Sequence, residues 1–418
     1  KMTETELNAL LAGITPANEA ARAAAHAHWA SLAKPLGGLG RLETMLEDAA
    51  ALTGSAELDL SRRVVVVLCA DNGVVAEGVT QCGQEVTAVV AENMGRGQST
   101  VCLMARRIGM DAFPVDIGVA RDVQGDRILR RKVRYGTADL LEQPAMTREE
   151  AVRAVETGIS LAEQCAADGY RLLCGGEMGI GNTTTSAAVT AALTGADVYT
   201  VTGRGAGLSS AGLSRKVCVI QTALALHRPD PDDPMDVLHK VGGLDIAGLA
   251  GLYLGAAACG LPAVLDGVIS CAAALLAVGL FGQRVGTVDH SKIIGTAAVN
   301  QTLFQIVIGD GHFYFLHVCV FHSPFPSPFS ICLAQCFFGH SVGASIARPQ
   351  ATCHGHSLPE KALLFSGCRA GNARPYMWSR ALMPVLPAPP AFAAPAHWPG
   401  PAWPSRARAA SGPPAPQS

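Results

Sequence analysis

Apolar positions along the chain follow two spacings, and their alternation predicts an α/β protein. Residues 64–70 form a continuous, β-branched run, which is typical of a strand buried on both faces of a parallel sheet. Shorter apolar runs predict further strands at residues 112–117, 171–174, 198–202 and 263–265. Strands that alternate with helical stretches indicate an α/β fold with a doubly wound, mostly parallel sheet and flanking helices.

End signals place the helices between these strands. Thr15-Pro16 predicts the start of a helix running to residue 32, because proline is favoured at the first helical position. Thr147 with Glu150 forms a capping box for a helix that stops at Gly169. The helix predicted over residues 87–108 has a weak point at two glycines. The remaining predicted helices cover residues 41–52, 185–193, 211–226, 245–259 and 268–278.

Composition divides the chain near residue 280. The first 280 residues contain one phenylalanine and eight prolines, whereas the remaining 138 contain eleven phenylalanines, seventeen prolines and only three of the 34 acidic residues. We therefore predict four segments, and we expect a retained intron or a shifted reading frame to encode the last two. The segments are a smaller, N-terminal helical part (1–60), an α/β core (61–278), an aberrant Phe/Cys/His-rich segment (279–383) and a Pro/Ala-rich disordered tail (384–418).

Charge and cysteine content exclude several classes of protein. The formal net charge of −2 lacks the basic excess that marks a nucleic-acid surface, so we expect no nucleic-acid partner. The thirteen cysteines form no CxxC pair, which favours a reducing compartment over a disulfide framework. Because the chain opens without a signal-peptide pattern, we expect a cytoplasmic protein; a removed targeting segment would make an organelle the alternative.

An uncharged stretch at residues 246–265 is long enough to cross a bilayer. Gly260 and Pro262 interrupt this stretch, acidic residues flank it, and much of its apolarity comes from alanine and glycine. We therefore expect a helix packed closely against a sheet, and no membrane partner.

Three loops at predicted strand ends carry candidate chemistry, because ligands of such folds lie outside the carboxyl ends of the strands. The first loop follows the valine-rich strand and contains Asp71, whose carboxylate could orient a ligand hydroxyl. An ordinary Asp-Asn-Gly turn is the alternative interpretation of this loop.

The second loop, residues 175–186, places Glu177 among four glycines directly before a predicted helix. Backbone amides at a helix start favour a phosphate, and glycines permit its close approach. We predict that Glu177 meets a ribose or a developing positive charge. A tight turn with a helix cap would explain the glycines and Asn182, but it would leave Glu177 unexplained.

The third loop, residues 202–208, is glycine-rich and is followed by Lys216, which suggests a second anion-binding element; a solvated lysine is the alternative. The chain lacks the Gly-Lys-Ser/Thr ending of an ATPase phosphate loop and the acidic partner of a dinucleotide fingerprint. That absence counts against a rival function, a nucleotide-dependent oxidoreductase. The histidines lack metal-ligand spacing, so we predict no metal and no cofactor.

Six sequence blocks between residues 2 and 278 resemble, in order, the nicotinate-nucleotide–dimethylbenzimidazole phosphoribosyltransferase family. The blocks are Lys34-Pro-Leu-Gly-Gly-Leu-Gly-Arg-Leu-Glu43, Cys69-Ala-Asp-Asn-Gly-Val74 with Glu77-Gly-Val79, Gly176-Glu-Met-Gly-Ile-Gly-Asn-Thr-Thr184, Gly203-Arg-Gly-Ala-Gly-Leu208 with Arg215-Lys216, Val241-Gly-Gly-Leu-Asp-Ile-Ala-Gly248 and Leu261-Pro-Ala-Val-Leu-Asp-Gly267.

This resemblance implies a homodimeric enzyme that needs neither metal nor cofactor and makes the cobalamin lower ligand. Its reaction moves 5-phosphoribosyl from nicotinate mononucleotide to 5,6-dimethylbenzimidazole, giving α-ribazole 5′-phosphate and nicotinate. Glu177 is then the catalytic residue, and Cys82 lies in the acceptor pocket. Seven residues form the predicted phosphate cradle, and two acidic residues complete the substrate site. They are Gly179, Gly181, Asn182, Thr183, Gly205, Gly207 and Lys216, with Asp71 and Asp245.

The chain departs from the family in three places. Gln81-Cys82-Gly83 replaces a small-polar-then-proline pattern, and Asn72 stands where the family commonly has histidine. The family's Gly-Glu-Gly-Thr-Gly-Ala-Ala loop, whose glutamate takes the proton from the benzimidazole, has no counterpart here; the nearest segment has His340 in its place. An alternative function is therefore a catalytically silent homologue that binds nicotinate mononucleotide.

Overall fold

A computed structural model describes residues 2–285 and the backbone of residues 315–317. Six strands of these described residues form one sheet in the order β3-β2-β1-β4-β5-β6, and every neighbouring pair is parallel. The predicted α/β class with a doubly wound parallel sheet is thus confirmed. The strands are β1 (Arg63–Ala70), β2 (Met110–Gly118), β3 (Leu129–Arg130), β4 (Leu172–Met178), β5 (Ala263–Leu265) and β6 (Phe315–His317).

Twelve α-helices of the described residues pack around this sheet or precede it. They are α1 (Glu4–Ala12), α2 (Glu19–Ser31), α3 (Arg41–Thr53), α4 (Glu85–Gly95), α5 (Thr100–Arg107), α6 (Arg148–Ala167), α7 (Asn182–Thr194), α8 (Val198–Val201), α9 (Ser210–His227), α10 (Pro234–Val241), α11 (Leu244–Ala258) and α12 (Val268–Val285). A 3₁₀ turn, Gly73–Glu77, follows β1.

Strand β1 is buried on both faces, as its continuous apolar run predicts. Val64, Val66 and Leu68 belong to the larger core, whereas Val65 and Val67 belong to a smaller core on the opposite face. Because successive side chains of a strand point to opposite faces, a run of valines can serve both cores at once.

Helix α11 explains the uncharged stretch at residues 246–265. Every residue from Leu244 to Ala256 is buried, and the helix lies against α6 at glycines that allow the two backbones to approach closely. A Cβ atom on Gly158 would lie 1.9 Å from the carbonyl oxygen of Gly248. Among the described residues, no helix has the length and apolarity needed to span a bilayer.

The predicted start of the N-terminal helix at Thr15-Pro16 is wrong. Helix α1 has its own capping box, formed by Thr3 and Glu6, and it ends at Ala12 with Gly13 as its C-cap. Helix α2 begins later, because the side chain of Asn18 accepts a hydrogen bond from the backbone amide of Ala21 at 3.0 Å. Asparagine is among the strongest N-cap residues, so its signal decides where this helix starts.

The strand predicted at residues 198–202 is also wrong, because this segment forms the single helical turn α8. The Asp197 carboxylate accepts from the Tyr199 amide at 3.3 Å, and the Thr202 hydroxyl donates to the Val198 carbonyl at 2.6 Å. These local bonds satisfy the backbone without a neighbouring strand.

Other boundaries differ less from the prediction. The helix expected over residues 87–108 is divided into α4 and α5, and Ser99 caps the second of them. The last helix runs to Val285 rather than to residue 278. The short strand β3, the helix α10 and the strand β6 were not predicted. Apart from residues 279–285 and 315–317, the segments predicted at 279–383 and 384–418, including His340, lie outside the described residues.

Candidate active site

The order of the strands creates a crevice between β1 and β4. The chain runs outward from β1 through β2 to β3 and then returns to β4, on the other side of β1. At such a topological switch point the loops diverge, and ligands of doubly wound folds bind there. Leu68 lies opposite Glu177 in the register, so the first two candidate loops begin side by side.

The β4–α7 loop needs its glycines because it passes close to its neighbours. A Cβ atom on Gly179 would lie 2.5 Å from both the Ala70 carbonyl oxygen and a carboxylate oxygen of Asp245. Gly181 has φ +95°, which side-chain-bearing residues rarely adopt. Gly181 is also the N-cap of α7, and within the described part of the chain no side chain caps this helix. An uncapped helix start is suited to an anion.

Lys216 is fully buried on α9 and points to the same helix start. Its Nζ donates to the Thr183 hydroxyl at 2.7 Å and to the Gly203 carbonyl at 3.2 Å. Burial lowers the pKa of Lys216 to about 8, and no carboxylate of the described residues forms an ion pair with it. A buried cation with only neutral partners favours an incoming anion, because the anion would balance its charge.

The third candidate loop follows α8 rather than a strand, yet it lies beside this lysine. A Cβ atom on Gly205 would lie 3.0 Å from the Thr183 hydroxyl oxygen and 3.7 Å from the Lys216 Nζ. Gly207 accepts a hydrogen bond at its carbonyl from the side-chain amide of Gln81. The structure thus brings the predicted phosphate cradle together and joins it to the segment after Gly78.

Glu177 is half-buried near the carboxyl end of β4. Burial and, secondly, the nearby charge of Asp245 raise the pKa of Glu177 to about 7. The Asn182 side-chain amide donates to this carboxylate and opposes the rise in pKa. Glu177 therefore changes its charge near neutral pH, which suits a residue that exchanges protons or supports a transient cation.

Asp245 lies in the first turn of α11 and is fully buried. One carboxylate oxygen accepts from the Asn182 amide at 3.0 Å, and the other accepts from the Ile246 backbone amide at 3.0 Å. Burial raises the pKa of Asp245 to about 6. The sequence prediction placed Asp245 among the substrate-binding residues. In the structure, its two carboxylate oxygens instead bind the Asn182 side chain and the Ile246 amide.

Asp71 is likewise turned inward at the end of β1. Its Oδ2 accepts from the Ala120 backbone amide at 2.8 Å, and its carbonyl accepts from the Thr137 amide at 3.0 Å. The carboxylate is buried, which raises its pKa, and it holds the loop that follows β2. Cys82 is exposed, and its backbone carbonyl accepts from the Thr80 hydroxyl at 2.8 Å.

Three polar side chains support these loops, and sequence analysis assigned none of them to the site, although it noted Asn72 as a departure from the family. Asn72 is fully buried and donates to the Ile180 carbonyl at 3.4 Å. The Thr87 hydroxyl accepts from the Ile180 amide at 3.1 Å, and the Gln84 amide donates to the Asn72 carbonyl at 2.9 Å. The available signal was a polar residue, Thr87, in the apolar run of α4.

Within the described residues, no group of three histidine, cysteine, aspartate or glutamate side chains could hold a metal ion. His239 contacts Asp236 at 3.2 Å, and His227 contacts the Leu140 carbonyl at 2.7 Å, so both have local partners.

Known proteins resemble this chain in sequence and in overall fold. A family model described as a phosphoribosyltransferase matches residues 14–288. The chain belongs to this phosphoribosyltransferase family. The predicted family is thus confirmed, and the match extends about ten residues beyond the end at residue 278 that the sequence blocks indicated.

Individual members of the phosphoribosyltransferase family agree with this result. A nicotinate-nucleotide–dimethylbenzimidazole phosphoribosyltransferase from Acetivibrio thermocellus is 49% identical over 248 residues, which cover 59% of this chain and 71% of that protein. The enzyme of the same name from Roseiflexus castenholzii is 50% identical over 264 residues, or 63% and 75% of the two chains. The crystal structure of CobT from Thermus thermophilus superposes with a TM-score of 0.60 at 42% identity, covering 64% of this chain and 80% of that one.

Proposed function

We propose that this chain transfers the 5-phosphoribosyl group from nicotinate mononucleotide to 5,6-dimethylbenzimidazole, giving α-ribazole 5′-phosphate and nicotinate. Membership in the phosphoribosyltransferase family supports this assignment, as do the names of its relatives. One observation carries it within the structure: the buried Lys216 ammonium beside Thr183 at the uncapped start of α7. That arrangement suits the phosphate of a mononucleotide.

The reaction asks the protein mainly to position two rings about one anomeric carbon. The bond from that carbon to the nicotinate nitrogen breaks, and its electron pair neutralises the cationic ring. The lone pair of the unprotonated benzimidazole nitrogen attacks the same carbon, and the other ring nitrogen then loses its N–H proton. The negative charge of ionised Glu177 would stabilise the positive charge that develops on the ribose. Among the described residues at the switch point, Glu177 also has the pKa, about 7, best suited to accept that proton.

Incubation of the full chain with nicotinate mononucleotide and 5,6-dimethylbenzimidazole tests this proposal. We expect α-ribazole 5′-phosphate and nicotinate in equal amounts by mass spectrometry. Glu177→Gln should lower turnover by about 10²-fold, as loss of one electrostatic group typically does. Lys216→Met should weaken donor binding. Lys240→Met is its matched control, because Lys240 lies on α10 and pairs with Asp236 at 2.8 Å.

The same assay separates the two functions that the sequence left open. Donor binding without any product would contradict the proposed reaction and favour the silent homologue. No feature of the described residues favours that alternative; the contact of Lys216 with Thr183 and the position of Glu177 beside β1 support the proposed reaction. Neither binding nor product would contradict both functions.

We further propose that the protein is a cytoplasmic homodimer. We also keep the segment boundaries at residues 60, 278 and 383 as proposals. Leu36, Leu39 and Leu42 are exposed in and beside the loop that precedes α3, and a second copy of the chain could cover them. Among the described residues no disulfide joins any cysteine, as is typical of a reducing compartment. Sedimentation of the purified chain would measure its oligomeric state, and a monomer would contradict the dimer.

A further inference from the structure

Asn182 occupies an unusual position for a residue at the start of a phosphate-binding helix. It is the first residue of α7 and is 5% exposed. Its side-chain amide lies between two carboxylates, donating to Glu177 and, at 3.0 Å, to Asp245. The amino group of the Asn182 amide must face these carboxylates, because the carbonyl oxygen of the same amide would repel both of them.

This arrangement uses both protons of the Asn182 amino group. The remaining side-chain atom, Oδ1, can only accept hydrogen bonds and has nothing to offer the oxygens of a phosphate. The phosphate can still be met by Lys216, by Thr183 and by backbone amides at the start of α7. The Asn182 side chain is therefore separated, by its bonding, from the cradle to which the sequence assigned it.

The far end of this chain of contacts is rigid. Asp245 is fully buried in the first turn of α11, where the positive end of the helix favours a carboxylate. Its second oxygen is held by the Ile246 amide at 3.0 Å. Asn182 thus joins Glu177, which lies near the carboxyl end of β4, to an anchored group in the core.

We propose that Asn182 is a positioning residue that holds Glu177 in place through Asp245, rather than a ligand of the donor phosphate. In the proposed reaction, the relay fixes the carboxylate that faces the ribose. The kinetic part of this inference rests on the proposed function. The link between the three side chains does not, because it can be measured in the absence of substrate.

Burial is the largest influence on the titration of Glu177, and three charged or polar groups from different elements modify it. Asp245 on α11 and Asp266 after β5 favour its protonated form, whereas the hydrogen bond from Asn182 on α7 favours the ionised form. Removing the amide in Asn182→Ala should therefore raise the pKa of Glu177. Removing the neighbouring charge in Asp245→Asn should lower it. A residue with a merely structural role would not give shifts of opposite sign.

The experiment follows the Glu177 carboxyl by ¹³C NMR in the full chain with labelled glutamate side chains, using Glu177→Gln to assign the signal. We expect a midpoint near 7 in the unsubstituted chain, a higher one in Asn182→Ala and a lower one in Asp245→Asn. Unchanged midpoints, or shifts in the same direction, would overturn the relay. Because two variants carry opposite predictions, the misfolding of one leaves the other decisive.

Kinetics then separate positioning from phosphate binding. Asn182→Ala should lower kcat by about 10²-fold while the donor KM changes by less than about threefold, because misplacing a reacting group mainly affects the chemical step. Thr183→Val, one residue along, is the matched comparison: it should raise the donor KM by about tenfold and leave the Glu177 titration unchanged. A raised donor KM with unchanged kcat in Asn182→Ala would overturn the proposal.

The two failures can be told apart. If the unsubstituted chain gives no product, the proposed function fails, yet the ¹³C titrations still test whether Asn182 links Asp245 to Glu177. If product forms but Asn182→Ala and Asp245→Asn do not shift the Glu177 titration in opposite directions, the proposed function is supported and the proposed role of Asn182 is wrong.

Discussion

The half-buried Glu177 and the fully buried Lys216 should set how activity depends on pH. Burial raises the pKa of Glu177 to about 7 and lowers that of Lys216 to about 8. The reaction needs ionised Glu177, so kcat/KM should rise as pH increases through about 7. It also needs protonated Lys216 to bind the phosphate, so kcat/KM should fall above about 8. We predict a narrow, bell-shaped profile in the free enzyme, to be measured by initial rates at limiting donor.

Single variants identify the two limbs of this profile. Glu177→Gln should remove the acidic limb from the residual activity, and Lys216→Met should remove the alkaline limb while weakening donor binding. Lys240→Met should keep both limbs, because its ammonium pairs with Asp236 on the surface of α10. A flat profile between about pH 6 and 9 would contradict the assigned roles.

Individual site residues could be predicted where a residue had no role in the turn or helix cap that its neighbours predicted. Glu177 stood out because a carboxylate among glycines is not needed for a turn, and the structure places it at the switch point. Asn72 and Thr87 gave weaker signals, a departure from the family pattern and a polar residue in an apolar run. Their roles depend on hydrogen-bond partners from distant segments. The position of Asp245 behind Asn182 likewise depends on a contact between α7 and α11.

At the scale of elements, the packing of α6 against α11 depends on the absence of side chains. A Cβ atom on Gly251 would lie 2.0 Å from the Val155 carbonyl oxygen. We predict that Gly251→Ala lowers the free energy of unfolding by at least about 1–3 kcal/mol, because neither backbone can yield without disturbing the core. Denaturation by urea would measure this loss.

Gly267→Ala is the control for that substitution, since a Cβ atom there would meet nothing within 4 Å. Its free energy of unfolding should stay within about 0.5 kcal/mol of the unsubstituted chain. Equal stabilities of the two variants would contradict the close approach of α6 and α11.

Elements were predictable where one periodicity was unambiguous. The valine run of β1 and the capping box of α6 led to elements that the structure contains. The segment around α8 is apolar and short, and at that length a strand and a helical turn share the same pattern. Two local hydrogen bonds, one accepted by the Asp197 carboxylate and one donated by the Thr202 hydroxyl, favour the helical turn. The two-residue strand β3 exists only through its pairing with β2.

At the scale of the whole molecule, alternation of strands and helices predicts a doubly wound sheet but not the order of its strands. That order depends on the side of the existing strands to which each crossover adds the next strand. Here the crossover after β3 places β4 beside β1. The family resemblance supplied what the alternation could not, namely which loops meet. The position of the site then follows from the architecture, because the return of the chain to β4 opens the crevice.

The most direct test of this account is the position of the donor in a crystal structure of the full chain bound to nicotinate mononucleotide. We predict electron density for the phosphate between the Lys216 ammonium and the start of α7, in contact with Thr183, and the ribose beside Glu177. A donor phosphate bound anywhere other than the β1–β4 switch point would contradict the account.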